Sequence, residues 1–295
     1  MRATKLVPPT IALMFCIGTA AAGDRGFNFT TVDYPGSAST TPQGINPGGD
    51  IVGVWADSQG AQHAFVFRQG GFSSFDYPGA AYTDARGISP GGDIVGTYRM
   101  PGENPGLSFH GYLRQRDGTF VPLNFPGHIN TMAQRILPDG TVMGCFHDHD
   151  FMASMHGFVF SGGQFSGLDM GATMNNGATP DLSRITGLFF DMTAAKWRGY
   201  VIQNGAFAAF DVPGSVFTQP WDMNPLGDIV GEFIDNTGTH HGFLLENGEF
   251  TSISFPGAGA TGARGVNPGG DIVGRYVDAT GAHGFLASRT QQHNQ

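Results

Sequence analysis

The stretch Gly48-Gly49-Asp50-Ile51-Val52-Gly53 decides the fold, because the chain repeats it. Its last five residues recur unchanged three times and in weaker form twice, at residues 92–96, 227–231, 270–274, 140–144 and 184–187. Self-similarity at a regular interval indicates a repeat architecture and has to be read before secondary structure.

Two further elements recur with the same period. A tripeptide with the first form His63-Ala64-Phe65 has equivalents that begin at His110, His156, Arg198, His241 and His283. Their spacings are 47, 46, 42, 43 and 42 residues. A turn of the form Asp76-Tyr77-Pro78-Gly79 returns at residues 124–127, 211–214 and 254–257. The chain therefore contains six units of about 43 residues.

Each unit is typical of four short antiparallel strands. In the second unit, Pro90-Gly91-Gly92 forms a turn, and 93–98 is apolar on both faces, as a strand between two packed sheets should be. The tripeptide begins the third strand, and the fourth strand, which in the first unit is 72–77, ends at a proline. Glycine makes up 47 of 295 residues, which fits many tight turns. The sequence predicts an all-β fold, a six-bladed β-propeller.

The ends of the chain predict ring closure. Residues 27–36 match a fourth strand without the first three, and the last unit lacks a fourth strand. We expect the N-terminal strand to complete the last blade, which hides the sheet edges. An open solenoid is the alternative.

With its Gly-Ile-Asn, Gly-Asp-Ile-Val-Gly, His-Gly-Phe and Asp-x-Pro-Gly elements, the unit resembles the HAF repeat of bacterial extracellular proteins. The resemblance covers nearly the whole chain after residue 22 and implies an exported bacterial repeat protein. It brings no activity with it. The fourth unit departs most, with Arg198 in place of histidine.

The N-terminus predicts the compartment. Arg2 and Lys5 precede an apolar run, and Ala20-Ala21-Ala22 is a small-residue cleavage site. We interpret 1–22 as a secretory signal peptide, 23–288 as one propeller domain and 289–295 as a polar tail. The protein is then secreted or periplasmic after cleavage near Ala22, without a membrane anchor; an apolar N-terminal helix is the alternative.

The net charge of the chain limits the classes of partner that we expect. The formal net charge is −9, and loss of Arg2 and Lys5 lowers it by two, to −11. No run of Lys or Arg occurs, so nucleic acid is a poor partner. We expect a monomer that binds an extracellular ligand, a glycan or a protein, and needs no cofactor.

Histidines are the first candidate ligands. Those of the tripeptides are spread around a wide ring, so we expect each to satisfy a backbone group rather than share a metal. His147 and His149 lie on one face of an extended segment, and His156 follows in the opposing strand. These three are weak candidates for zinc, and a solvated polar loop is the preferred interpretation.

A set of varied residues precedes the Gly-Ile-Asn element or its equivalent: Gln43, Arg86, Gln134, Trp221 and Arg264. If that strand is innermost, these side chains lie near the mouth of the central channel, together with Thr40, Thr83, Thr131, Thr218 and Thr261. Arginine can bind a carboxylate and tryptophan can stack on a sugar. Burial between blades is the alternative.

No catalytic motif is recognisable in the sequence. The preferred function is a non-enzymatic module that binds a carbohydrate, an envelope component or a protein. The alternatives are a hydrolase or lyase with its site at the channel mouth, and a structural or adhesive repeat protein. Fold alone does not distinguish them.

Overall fold

The structure, a computed structural model, describes residues 26–106, 108–128, 130–148, 155–168 and 172–290. Within these ranges the regular structure consists of 24 β-strands. The all-β prediction is therefore confirmed. In the described ranges, no helix has the length and apolar character needed to cross a bilayer. The predicted signal peptide lies outside the described residues.

The strands form six units of four, numbered here in chain order. Unit 1 is β2 (Ser39–Ile45), β3 (Ile51–Ala56), β4 (Gln62–Arg68) and β5 (Gly71–Phe75). Unit 2 is β6 (Tyr82–Ile88), β7 (Ile94–Arg99), β8 (His110–Arg114) and β9 (Phe120–Leu123). Unit 3 is β10 (Asn130–Ile136), β11 (Val142–His147), β12 (Met155–Ser161) and β13 (Gln164–Gly167). Unit 4 is β14 (Thr173–Ala178), β15 (Arg184–Asp191), β16 (Lys196–Gln203) and β17 (Ala206–Phe210). Unit 5 is β18 (Ser215–Met223), β19 (Ile229–Asp235), β20 (His240–Glu246) and β21 (Glu249–Ile253). Unit 6 is β22 (Ala260–Val266), β23 (Ile272–Asp278), β24 (Gly281–Arg289) and β1 (Phe27–Thr31).

Strands within a unit pair antiparallel in sequence order, and β1 joins unit 6 from the other end of the described chain. It pairs with β24 from Phe27 opposite Arg289 to Thr31 opposite Phe285. The first strands of the units contact one another in order, β2 with β6, β6 with β10, and so on to β22, which contacts β2.

Apolar side chains fill the spaces between neighbouring units. Val52 and Ala64 of unit 1 pack with Ile88 and Tyr112 of unit 2, for example. The same kind of core joins units 6 and 1, where Val273 packs with residues of unit 1. Both faces of each sheet are thus buried, which explains why the second strands are apolar at consecutive positions.

The glycine at the end of each Gly-Asp-Ile-Val-Gly motif is required for close packing. A Cβ atom at Gly187 would lie 1.8 Å from the carbonyl oxygen of Met174, and one at Gly53 would lie 2.2 Å from that of Thr41. Only a hydrogen atom fits between the second strand and the backbone of the first strand at this point.

The repeated histidines stack on aromatic rings and bind carboxylates. The ring of His63 lies against Trp55 in a tilted contact at 4.9 Å between centroids, and Trp55 stacks on Tyr34 at 4.1 Å. The Nδ1 atom of His63 lies 2.9 Å from Oδ2 of Asp76. The other tripeptide residues also contact carboxylates: His110 with Glu103, His156 with Asp148, His241 with Asp235, His283 with Asp33, and Arg198 with Asp191 and Asp211. The partner of each is therefore a side chain and not the predicted backbone group.

The threonines predicted near the channel bind the segments that connect successive units. Each hydroxyl accepts a hydrogen bond from a backbone N–H of the segment that enters from the preceding unit. The donors are Tyr34 to Thr40, Tyr77 to Thr83, Phe125 to Thr131, Val212 to Thr218 and Phe255 to Thr261. Threonine is therefore repeated at this position for a structural reason.

Candidate functional site

All five predicted binding residues occupy a β-bulge in the first strand of a unit. The pairing of first and second strands shifts register at an equivalent position in every unit, and unit 5 has a second shift between Ser215 and Phe217. The residues at the shift are Gln43, Arg86, Gln134, Asn176, Trp221 and Arg264. A bulged residue leaves the ladder and re-aims its side chain. Sequence reasoning missed Asn176, because unit 4 lacks the Gly-Ile-Asn element.

Arg135 contacts the first strands of several units. Its guanidinium donates hydrogen bonds to the backbone carbonyls of four bulged residues: Gln43, Arg86, Gln134 and Arg264. Its Nε lies 2.9 Å from Oδ1 of Asp222, an ion pair rather than an aligned hydrogen bond. One side chain thus contacts five of the six units.

Asp222 completes this central pair and is buried. Its Oδ2 accepts a hydrogen bond from the backbone N–H of Val266 at 3.0 Å. Burial raises the pKa of Asp222, while the charge of Arg135 acts in the opposite direction. Sequence reasoning missed both residues. The signal was present, because the other units have glycine at this position, at Gly44, Gly87, Gly177 and Gly265.

A cavity of about 90 Å³ lies next to the Arg135–Asp222 pair. Residues of all six first strands and of the turns that follow them line it. Its wall is apolar, with side chains such as Ile45, Ile88 and Met223. Six exposed prolines surround it, one from each unit: Pro47, Pro90, Pro138, Pro180, Pro225 and Pro268. The cavity suits an apolar group.

The bulged residues of units 2 and 3 form a closed polar network. Arg86 binds Asp84 through Nε at 2.8 Å and Gln134 through Nη1 at 3.0 Å. Arg86 is 9% exposed and Gln134 is 1% exposed. Burial by itself lowers the pKa of Arg86, but Asp84 reverses this and raises it above its usual value. This part of the channel is filled by the chain itself.

The bulged residues of units 5, 6 and 1 are more open. Trp221, Arg264 and Gln43 are all partly exposed. The guanidinium carbon of Arg264 lies 4.0 Å from the centroid of the Trp221 ring, a close cation–π contact. Because Arg264 covers one face of Trp221, that face is not free to stack on a sugar.

Burial and a nearby carboxylate act in opposite directions on the pKa of Arg264. Its Nη2 donates to Oε2 of Glu232 at 3.0 Å. Burial lowers the pKa of Arg264 to about 10, although Glu232 acts to raise it. Such an opposition of burial and a specific charge partner is typical of functional sites.

Glu232 is the centre of a cluster between units 5 and 6. Its carboxylate fills the space that Gly262 leaves, and it contacts Arg264, Arg275 at 3.5 Å and His240. Burial by itself raises the pKa of Glu232, but the two arginines outweigh it and hold the pKa below its usual value. The signal in the sequence was weak: this buried glutamate stands where the first four units have Val54, Thr97, Cys145 and Leu188.

The lowered pKa of Glu232 predicts a loss of stability in acid. The stabilisation is complete above the unfolded-state pKa, near 4.3, and is lost as the pH falls through the lower folded-state pKa. Glu232→Gln should therefore lower the free energy of unfolding by about 2 kcal/mol at pH 6 and by much less at pH 3. Urea unfolding of both proteins between pH 3 and 6 measures this. Glu249→Gln, at an exposed position, is the control. An effect of Glu232→Gln that is equal at every pH would contradict the prediction.

The described residues do not support the predicted zinc candidates as one group. His147 is buried and its Nε2 lies 3.5 Å from the sulfur of Cys145. His156 pairs directly with Phe146, so its side chain points to the opposite face of the sheet from that of His147. His149 lies outside the described residues. Among those described, no three potential ligands form a metal-binding group.

Comparison with known proteins identifies the fold. No protein-family model and no curated protein matches the chain significantly. A gluconolactonase from Xanthomonas campestris is similar in structure, with a TM-score of 0.56, 13% identity and coverage of 90% of both chains. TolB from Acinetobacter baumannii has a TM-score of 0.55 at 12% identity, over 82% of this chain and 64% of that one. The β-propeller domain of the trilobed protease from Pyrococcus furiosus has a TM-score of 0.51 at 10% identity, over 87% of this chain and 99% of that one. At such identities the likeness shows the fold alone, and that fold is a β-propeller.

Proposed function

We propose that this chain is an exported bacterial protein of the HAF-repeat type whose six units close into a propeller that binds an extracellular ligand in its channel without catalysis. The ligand is a carbohydrate, an envelope component or a protein. Export entails cleavage near Ala22. Binding takes place at the bulged residues, chiefly Trp221, Arg264 and Gln43, which are partly exposed.

Closure of the ring with six blades is supported by the contacts of unit 6. Its fourth strand, β1, comes from the start of the described chain. The apolar core between units 6 and 1 resembles those between the other units. The first strands also contact one another in a cycle. A split blade of this kind removes the free sheet edges that an open array would expose.

The variation at the bulge carries the functional proposal. The first residue after the bulge is glycine in four units, and the second is apolar in all six. At the bulge itself the six units carry three amides, two arginines and a tryptophan. Different polar side chains on a repeated frame are typical of recognition.

A glycan-array and ligand screen of the mature protein, from Gly23, tests the proposal. We expect binding that Trp221→Ala or Arg264→Ala reduces at least tenfold. Arg116→Ala, an exposed arginine in a turn of unit 2, is the matched control and should bind normally. Binding that survives both channel variants would place the ligand elsewhere. Binding of no ligand would favour the structural or adhesive alternative.

A hydrolase or lyase is the second candidate, and one observation favours it. The ring of His240 bonds to the ionised Glu232, which orients a partly exposed imidazole beside Arg275. A carboxylate that orients a histidine is a common general-base arrangement. A turnover screen with lactones, esters and glycosides distinguishes this function. Activity that His240→Gln abolishes would favour the enzyme over the binding module.

A further inference from the structure

Both side chains of the Trp221–Arg264 pair have a donor without a hydrogen-bond partner. The indole N–H of Trp221 and the Nε–H of Arg264 are both shielded from solvent, and neither has a hydrogen-bond acceptor in the described chain. The two side chains are stacked on each other, so the donors lie in the same part of the channel. Buried donors are almost always satisfied by protein, water or ligand.

The same place carries an uncompensated positive charge. Asp84 balances Arg86, and Asp222 balances Arg135. Glu232 alone faces both Arg264 and Arg275. The cluster therefore has one excess positive charge when His240 is neutral, although the whole chain has a net charge of −9. Burial lowers the pKa of Arg264, so a second anion nearby would stabilise its charged form.

We propose that Trp221 and Arg264 bind a carboxylate group of the ligand. The inference rests on the proposed channel-binding function and names the chemistry of its ligand. A carboxylate has one negative charge and two acceptor oxygens, which match one excess positive charge and two free N–H donors. A phosphate, with up to two charges and more acceptors, would leave acceptor oxygens unsatisfied. Both donors are shielded, so the ligand reaches them when side chains around the Trp221–Arg264 pair move aside.

The carboxylate at this site belongs to an acidic sugar or to the end of a peptide. Calorimetric titration of the mature protein with glucuronate and with N-acetylalanine distinguishes these sources. Methyl glucoside is the neutral control for the sugar, and inorganic phosphate is the control for charge alone. We expect one of the two carboxylates to bind at least tenfold more tightly than either control.

Three variants distinguish the loss of the two N–H donors from a general destabilisation of the fold. Arg264→Gln should weaken carboxylate binding at least tenfold, and Trp221→Phe, which keeps the aromatic ring but loses the N–H, about threefold to tenfold. Glu232→Gln should tighten it severalfold, because it removes a competing negative charge beside Arg264. Arg116→Gln should have no effect. A merely destabilised fold would weaken binding in every channel variant, including Glu232→Gln.

The outcomes also separate this inference from the proposed function. If methyl glucoside binds as well as glucuronate and Arg264→Gln weakens both, the channel binds ligand but the carboxylate assignment is wrong. If phosphate binds best, the site is a general anion site and the inference is overturned. If the ligand screen and all four titrations show no binding in the channel, the proposed function fails together with the inference.

Discussion

Arg135→Met is expected to lower the free energy of unfolding by about 3–5 kcal/mol, because it leaves the buried Asp222 without its counter-charge. The backbone carbonyls of four units lose a donor at the same time. A loss of this size shifts the melting temperature of a domain this long by about 10 °C. Thermal and urea unfolding followed by circular dichroism measure it.

The repeats supply the control for this variant. Four units have glycine where units 3 and 5 have Arg135 and Asp222, so the double variant Arg135→Gly/Asp222→Gly restores the repeated residue in both. It should be more stable than either single variant, since no unpaired charge remains buried. If the losses in free energy of unfolding of the two single variants add up in the double variant, the two side chains do not stabilise each other.

The pH dependence of Arg135→Met gives an independent measurement. Burial holds the pKa of Asp222 above its usual value, so the buried carboxylate destabilises the fold at neutral pH. This destabilisation disappears as the pH falls through the folded-state pKa, because Asp222 then becomes neutral. The loss caused by Arg135→Met should therefore be larger at pH 7 than at pH 4. A loss that does not change with pH would show that Asp222 is not the source of the cost.

Removal of residues 27–36 is expected to abolish cooperative unfolding of the whole domain. Strand β1 covers the edge of β24, and Phe29 packs against Phe255 at 5.5 Å and Phe285 at 5.7 Å between ring centroids. Asp33 also binds His283 at 2.7 Å. Without them, unit 6 exposes an unpaired edge and an apolar face, which favours aggregation. Calorimetry and size-exclusion chromatography of the truncated protein test this.

A milder variant tests the same contact if the truncated protein does not express. Phe29→Ala should lower the free energy of unfolding by about 2 kcal/mol while the protein stays folded. Met192→Ala, at a side chain that is 83% exposed, is the control and should change it by less than about 0.5 kcal/mol. If the truncated chain folds with unchanged stability, β1 is not part of the closing blade.

Much of the site was predictable, because the repeat shows which positions vary. Gln43, Arg86, Gln134, Trp221 and Arg264 occupy the same position in their repeats, and the structure places all five at equivalent bulges. Asn176 was missed because unit 4 departs from the motif. Arg135 and Asp222 were missed because only alignment of the units shows that they replace glycine.

The sequence by itself determined the all-β class, the six units and the four strands of each, because turn residues and apolar runs recur at a fixed spacing. Only the tertiary structure decided which channel residues act together. Arg264 meets Trp221 from another first strand and Glu232 from a second strand, and Arg135 meets Asp222 across 87 positions of the sequence. Contacts between units depend on side-chain direction and on the close packing that glycines such as Gly262 allow. A linear pattern of residues does not contain that information.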